Sequence, residues 1–355
     1  MRYVKIVCSI LVFTVVFFGL QRLLVPKYAF SILEGSLIRE YYSSSKDHDI
    51  IFIGDCEVYA NFSPITLWEE FGITSFIRGS PQQLIWQSYY LLEETLRHET
   101  PRVVVFNVLA MQYNEPQSEP YNRLTLDGMR WSRSKVRAIA ASRTEDEDWL
   151  SYIFPFFRFK DRWREISNED FRFFFRNPRV SVNGFMVRSD VMPVGWIPDP
   201  LPRATYQFGD KAFYYLNRIV EITAKHDVPL VLVKAPSLFP HWHDEWDRQI
   251  REFAEKNNLP YINFLEYTYC IGLDFSMHTF NAGLHLNVFG AEKLAMFFGE
   301  FLQREFDLPD RRTETETANL WNALSRAYHN LIERQLAEIY ETGSIQSFLV
   351  EPSDP

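Results

Sequence analysis

The stretch Asp49-Ile50-Ile51-Phe52-Ile53-Gly54-Asp55-Cys56-Glu57-Val58-Tyr59 decides the fold. Four consecutive apolar residues bounded by polar ones suit a central parallel strand covered on both faces, and Gly54 permits a tight turn from strand to helix. The residue after such a turn stands where open α/β sheets bind their ligands. Cys56 is therefore placed like a nucleophile. The plainer reading of the same residue is a small buried thiol filling a gap under the next helix.

Working outward, Ser63-Pro64-Ile65-Thr66-Leu67-Trp68-Glu69-Glu70-Phe71-Gly72 is punctuated as a short helix, with Ser63 as N-cap, Pro64 at the first helical position and Gly72 past the end. Thr74 to Ile77 reads as a strand running into Arg78-Gly79-Ser80, Gln83 to His98 as a longer helix and Val103 to Asn107 as a third strand. The alternation resumes with helix Asp210 to His226, strand Leu230 to Lys234, helix Asp244 to Asn257, strand Tyr261 to Phe264 and a closing helix Ala291 to Phe306. This pattern predicts an α/β fold: a three-layer α/β/α, flavodoxin-like doubly wound parallel sheet formed by residues 49–107 and 209–309. Its strand ends present Cys56, Gly79 and Asn107.

Between residues 108 and 208 the alternation stops. Aromatic residues crowd this stretch, among them Trp131, Trp149, Tyr152 and Phe154-Pro155-Phe156-Phe157, and Ser132 to Ser142 and Thr144 to Phe154 read as helices. It is expected to be an inserted helical cap over the strand ends. Its aromatics suit its own core, stacking on sugar rings or a membrane-facing patch. The run Glu145-Asp146-Glu147-Asp148 fits the first turn of a helix with a solvated face.

Residues 1–27 form an N-terminal anchor. Ile6 to Leu20 carries no charge, Arg2 and Lys5 precede it, and no A-x-A-like cleavage site follows, so an uncleaved single-pass transmembrane helix is expected rather than a removed signal peptide or a core helix. The N-terminus is expected inside and the bulk of the chain outside, although Arg22 and Lys27 nearly balance Arg2 and Lys5. Residues 28–48 read as a connector. In the tail, 310–355, Thr313 to Tyr340 places Leu320, Leu324, Tyr328, Ile332 and Leu336 at helical spacing, an amphipathic helix that docks on the body or on a partner.

Charge and cysteine content exclude several classes. A formal net charge of -9 with no basic stripe argues against nucleic acid. Three cysteines, Cys8, Cys56 and Cys270, make no disulfide framework, and a Cys56 to Cys270 bridge is a minor alternative. His241, His243, Asp244 and Asp247 offer ligands for a divalent metal, but His241 and His243 are not at i,i+4 spacing and Asp244 is explained as a helix N-cap. No cofactor is implied, since no phosphate loop occurs.

The block order resembles the SGNH (GDSL-type) hydrolases: strand then Gly54-Asp55-Cys56, strand then Gly79, strand then Asn107, and a late His285 ahead of the last helix. The resemblance spans about Asp49 to Phe306 and is nearest to membrane-anchored members that act on bacterial cell-surface polymers. It implies Cys56 in place of the nucleophilic serine. It implies an oxyanion hole from the backbone N–H groups of Cys56 and Gly79 with the Asn107 amide, and His285 as general base. The sequence departs from the family pattern twice: serine is replaced by cysteine, and the aspartate three residues before the histidine is Ala282, with Asn281 the nearest polar residue. A thiolate and imidazolium pair oriented by an asparagine accommodates both changes, giving a Cys56, His285 and Asn281 triad. A retired enzyme accommodates them equally.

Two functions follow from the resemblance. One is a thiol esterase or acyltransferase, acting outside the cell membrane on ester-linked acyl groups of a surface glycan or teichoic-type polymer, together with a membrane-bound acyl-transfer partner. The other is a catalytically silent binding or assembly protein of the cell envelope. Asp55 and Glu57 bear on the choice, because a carboxylate facing the sulfur raises its pKa.

Overall fold

The computed structural model describes residues 2–26, 35–197, 199–200 and 202–351. Residues 27–34 of the expected anchor end and connector lie outside them. Five parallel strands form one sheet: β1 (Ile50–Gly54), β2 (Ser75–Gly79), β3 (Val103–Asn107), β4 (Leu230–Lys234) and β5 (Tyr261–Asn263), in the order β2-β1-β3-β4-β5. This is the flavodoxin-like doubly wound arrangement, whose order reverses between β1 and β3 and opens a crevice at the carboxyl ends of those strands.

Side-chain alternation divides the core into two layers. Phe52, Val105, Val231 and Val233 pack with the helices Pro64–Phe71 and Val288–Glu305, whereas Ile53, Val104, Phe106 and Leu232 pack with Ile85–Thr95, Asp210–Lys225 and Asp244–Lys256. Each fully buried side chain of this size contributes roughly 1.5–3 kcal/mol over its exposed state. Local punctuation is as the residues dictate. Ser63 Oγ accepts from the Thr66 N–H at 3.2 Å, Pro64 opens the helix and Gly72 closes it at φ 68°.

Several elements differ from the sequence expectation. The closing helix starts earlier, at Val288, because Asn287 Oδ1 accepts the Gly290 N–H at 3.2 Å. Asp244 is the first helical residue, after His243, and is not the cap. Residues 144–148 make a turn rather than a long helix. There Glu147 is buried, accepting from the Asn122 side chain at 2.7 Å, the Thr144 N–H at 3.0 Å and the Tyr152 hydroxyl, so it is no solvated charge. Within the expected connector, Ser36–Glu40 is helical and Leu37, Ile38 and Tyr41 are fully buried.

The inserted segment is a set of short helices, Glu119–Leu126, Arg133–Ser142, Trp149–Ile153, Phe156–Phe159 and Asn168–Arg172. Arg133–Ser142 packs against Ile85–Thr95, and the Phe156–Phe159 and Asn168–Arg172 pieces meet the N-terminal helix Arg2–Leu24, the anchor expected from sequence. Phe17 of the anchor lies 5.9 Å from Phe154 and 6.2 Å from Phe156, ring to ring. The returning chain then covers the exposed edge of β2: Asn183 O accepts the Ile77 N–H at 2.9 Å. Gly184 is required there, since a Cβ would come within 2.1 Å of the Ile77 carbonyl oxygen. Beyond it, the Met192 N–H donates to Thr279 O and Met192 O accepts the Ala282 N–H, bracing the loop that carries His285.

Candidate functional site at the strand ends

Cys56 is the first residue of a short helix, Cys56–Asn61, that leaves β1 through Gly54 and Asp55. Gly54 has φ 156°, and a Cβ on it would meet Val58 Cγ2 at 2.5 Å and Asn107 Cβ at 3.0 Å, so the turn needs glycine. Gly79 pairs with Gly54 in the last register of the β1–β2 ladder, and a Cβ there would approach the Asp55 carbonyl oxygen to 3.1 Å. Asp55 caps the helix, its Oδ1 accepting the Glu57 N–H at 3.1 Å. Cys56 is half-buried and free, as are the exposed Cys8 and Cys270.

The floor beneath Cys56 is a buried polar cluster that the sequence only half announces. Asn107 Nδ2 donates to Asp55 Oδ1 at 3.1 Å and to Glu57 Oε2 at 2.9 Å, while its Oδ1 accepts the Ala235 N–H at 3.1 Å. Both donors and the acceptor of this amide are therefore engaged. Lys234 Nζ completes the cluster, 2.7 Å from Glu57 Oε1 and donating to the Ala235 carbonyl at 2.7 Å, with both side chains of the pair buried. The signal for Lys234 lay in its position: a lysine closing the apolar run Leu230 to Val233 at a strand end. Desolvation, then the neighbouring Glu57, pushes the Asp55 carboxyl up, to about 8. Desolvation, then Asp55 and Glu57, pushes the Cys56 thiol well above its ordinary value, outweighing the backbone N–H groups of Gln82 and of Cys56 itself. Gln82 adopts a left-handed backbone at φ 50° in the loop after β2.

His285 is buried between two rings, Phe280 at 5.6 Å and Tyr59 at 6.3 Å. Asn281 grips it twice. Asn281 Oδ1 accepts the His285 backbone N–H at 2.7 Å, and Asn281 Nδ2 lies 2.7 Å from His285 Nδ1. The first bond fixes the amide orientation, because a backbone N–H only donates; the second must then be a donation from Nδ2, and Nδ1 is an acceptor. Neutral His285 carries its proton on Nε2. That atom is buried and has no hydrogen-bond partner among the described residues, so no hydrogen bond joins it to the Cys56 sulfur. Burial, with Lys234 and Arg188 nearby, pushes the imidazole down to about 3. Ala282, where the resemblance implies an aspartate, is exposed with φ 55°.

The structure thus brings Asn281 to His285 and Asn107 to the Asp55 and Glu57 carboxylates. Cys56, Gly79 and Asn107 gather at neighbouring strand ends as the topology requires. In the other cluster weighed above, the His241 and His243 rings stand 4.7 Å apart, and His243 packs on Tyr206 and Trp246. Asp247 Oδ1 accepts from Trp242, Tyr261 and Asn263.

No family model and no curated protein sequence matches the chain. Among solved structures it is similar to a protein assigned as an acylhydrolase from Bacteroides fragilis NCTC 9343, at 11% identity over 72% of this chain and 86% of that one, TM-score 0.35. It is also similar to a GDSL-like lipase from Bacteroides thetaiotaomicron VPI-5482, at 12% identity over 75% of this chain and 94% of that one, TM-score 0.35.

Proposed function

We propose that this chain, similar in fold to the SGNH (GDSL-type) hydrolases, is a membrane-anchored, catalytically silent binding or assembly protein of the cell envelope. The observation that carries this reading is the direction of the Asn281 to His285 hydrogen bond. A general base needs a free lone pair on the nitrogen that faces the nucleophile, with its other nitrogen donating to an orienting acceptor. Here the orienting residue donates, so the lone pair is committed to Asn281 and Nε2 holds the proton. Electrostatics act in the same sense. A thiolate and imidazolium pair needs a depressed thiol and a basic imidazole, whereas burial and neighbouring charges move both groups the opposite way. The oxyanion position is affected as well, since an Asn107 amide held by the Asp55 and Glu57 carboxyl oxygens has no free donor for a developing negative charge.

The test is the pH dependence of Cys56 alkylation by iodoacetamide in the full chain, with Cys8 and Cys270 replaced by serine. The expected result is slow labelling whose rate still rises above pH 9 and is unchanged in His285→Ala. A thiol with an apparent pKa below the free value of about 8.5 that rises when His285 is removed would overturn the reading. So would hydrolysis of an aryl acetate that Cys56→Ala abolishes. Either result would restore the thiol esterase or acyltransferase.

A further inference from the structure

A cavity of about 920 Å³ opens between the last turns of the anchor helix and the inserted segment. That is within the roughly 300–1,000 Å³ of sites that enclose a small molecule. Its lining includes apolar side chains, Phe18 and Val25 at the end of the N-terminal helix and Leu124, Ile153 and Phe159. It also includes four cations, Arg22, Arg39, Arg130 and Lys135. Asp127 is the one carboxylate among the described lining residues, and it is already held by Arg123 at 3.2 Å and Arg158 at 3.7 Å, neither of which lines the cavity.

Arg22, Lys135 and Arg130 each have a neutral partner, while Asp127 and Glu40 act on Arg39 and Asp127 also acts on Lys135. Arg22 donates to the Phe174 and Phe173 carbonyls at 2.8 and 3.1 Å and to the Asn177 side-chain oxygen at 2.8 Å. Lys135 Nζ donates to the Met129 carbonyl at 2.9 Å, and the Arg130 guanidinium lies over the Tyr42 ring at 4.5 Å. Desolvation lowers Lys135 to about 8 and lowers Arg39 as well, a cost that an anion placed among them offsets.

The depth of the cavity follows from the anchor. Twenty-three helical residues reach about 34 Å, enough to cross a hydrocarbon core of about 30 Å. Arg22 stands at the polar end of that helix and Phe18 one turn deeper. On the inserted segment Trp131, Phe171 and Phe175 are 53%, 61% and 92% exposed, as interfacial aromatics are. With that helix across the bilayer, Arg22 lies at headgroup level and Phe18 one turn nearer the acyl chains.

We propose that this cavity holds an anionic membrane lipid from the leaflet that the domain faces, its phosphate among Arg22, Arg39, Arg130 and Lys135 and its upper acyl chain against the anchor and the inserted segment. The inference rests on the anchor spanning the membrane and is independent of the state of Cys56.

The test uses the full chain in nanodiscs of phosphatidylcholine with a tenth of phosphatidylglycerol, followed by detergent release and native mass spectrometry of the lipid that stays bound. One phosphatidylglycerol per chain should be retained, enriched at least about tenfold over its share of the bilayer. Arg130→Gln, at an exposed position where folding is not at stake, and Lys135→Gln should each lower that retention by about tenfold, the value of one charge-assisted contact. Retention of phosphatidylcholine in proportion to its abundance, no retained lipid, or enrichment indifferent to both substitutions overturns the proposal.

Discussion

Asp55 is the residue on which the site turns, because it meets two demands at once. As a helix cap it must accept from the Glu57 N–H, and as a buried group beside Glu57 its charged form is penalised. Its folded pKa of about 8 stands above the unfolded value of 3.8, so between those values the folded state holds a proton that the unfolded state lacks. Its contribution to stability is then present at low pH and lost as pH rises through about 8. Asp55→Asn keeps an acceptor for both hydrogen bonds and removes the titration. Thermal melts from pH 5 to 8.5 should show a shallower fall in stability with rising pH than the parent, and an unchanged slope would show that Asp55 is not the titrating group. His285 acts with the opposite sign. Its folded pKa of about 3 lies below the unfolded 6.5, so its burial as a neutral ring destabilises the fold as pH falls from 6.5 toward 3. His285→Phe should flatten that acid limb in the same melts.

At the scale of elements, the C-terminal helix Thr315–Thr342 belongs to the core of the body. Trp321, Leu324, Tyr328, Leu331 and Ile332 are buried against the Pro64–Phe71 helix and its surroundings, with the Trp321 and Trp68 rings 5.5 Å apart. The stripe expected from sequence ran through Leu320 and Leu336, which are 44% and 42% exposed. A spacing of four residues drifts around a helix of 3.6 residues per turn, whereas the observed series mixes spacings of three and four and stays on one face. Trp321→Ala should therefore cost about 3–5 kcal/mol in a denaturation experiment, and Leu320→Ala no more than about 0.5 kcal/mol. Equal losses would contradict the observed register.

At the scale of the molecule, the sheet, the inserted segment and the anchor are joined into one continuous body. Arg22 of the anchor is bonded to the carbonyls of residues 173 and 174, and the inserted segment in turn packs on Ile85–Thr95 and braces the His285 loop. The helix Arg2–Leu24, with a mean hydropathy of 2.3 and none of that stretch buried, is long and apolar enough to cross a membrane. Carbonate extraction of membranes containing the full chain should leave it in the pellet. Release into the supernatant would mean that Arg2–Leu24 does not span the bilayer and would remove the basis of the lipid site.

The sequence alone determined what depends on neighbours along the chain. The apolar runs ending in Gly54, Gly79 and Asn107 were legible as parallel strands, Ser63 and Gly72 as helix ends, and the uncharged run from Ile6 to Leu20 as a helix long and apolar enough to cross a membrane, because dihedral preference, hydrophobic period and capping are set within a few residues. The tertiary structure alone decided what the strand-end residues do. Lys234 meets Glu57 across 177 positions of sequence and Asn107 meets Asp55 across 52, contacts that commit the amide, while burial and then Asp55 and Glu57 raise the thiol. Even the bond between Asn281 and His285, only four residues apart, has a direction that the backbone conformation of the loop imposes. Residue type fixes which hydrogen bonds and charges a site is able to use, but burial and the positions of distant partners fix which of them it does use.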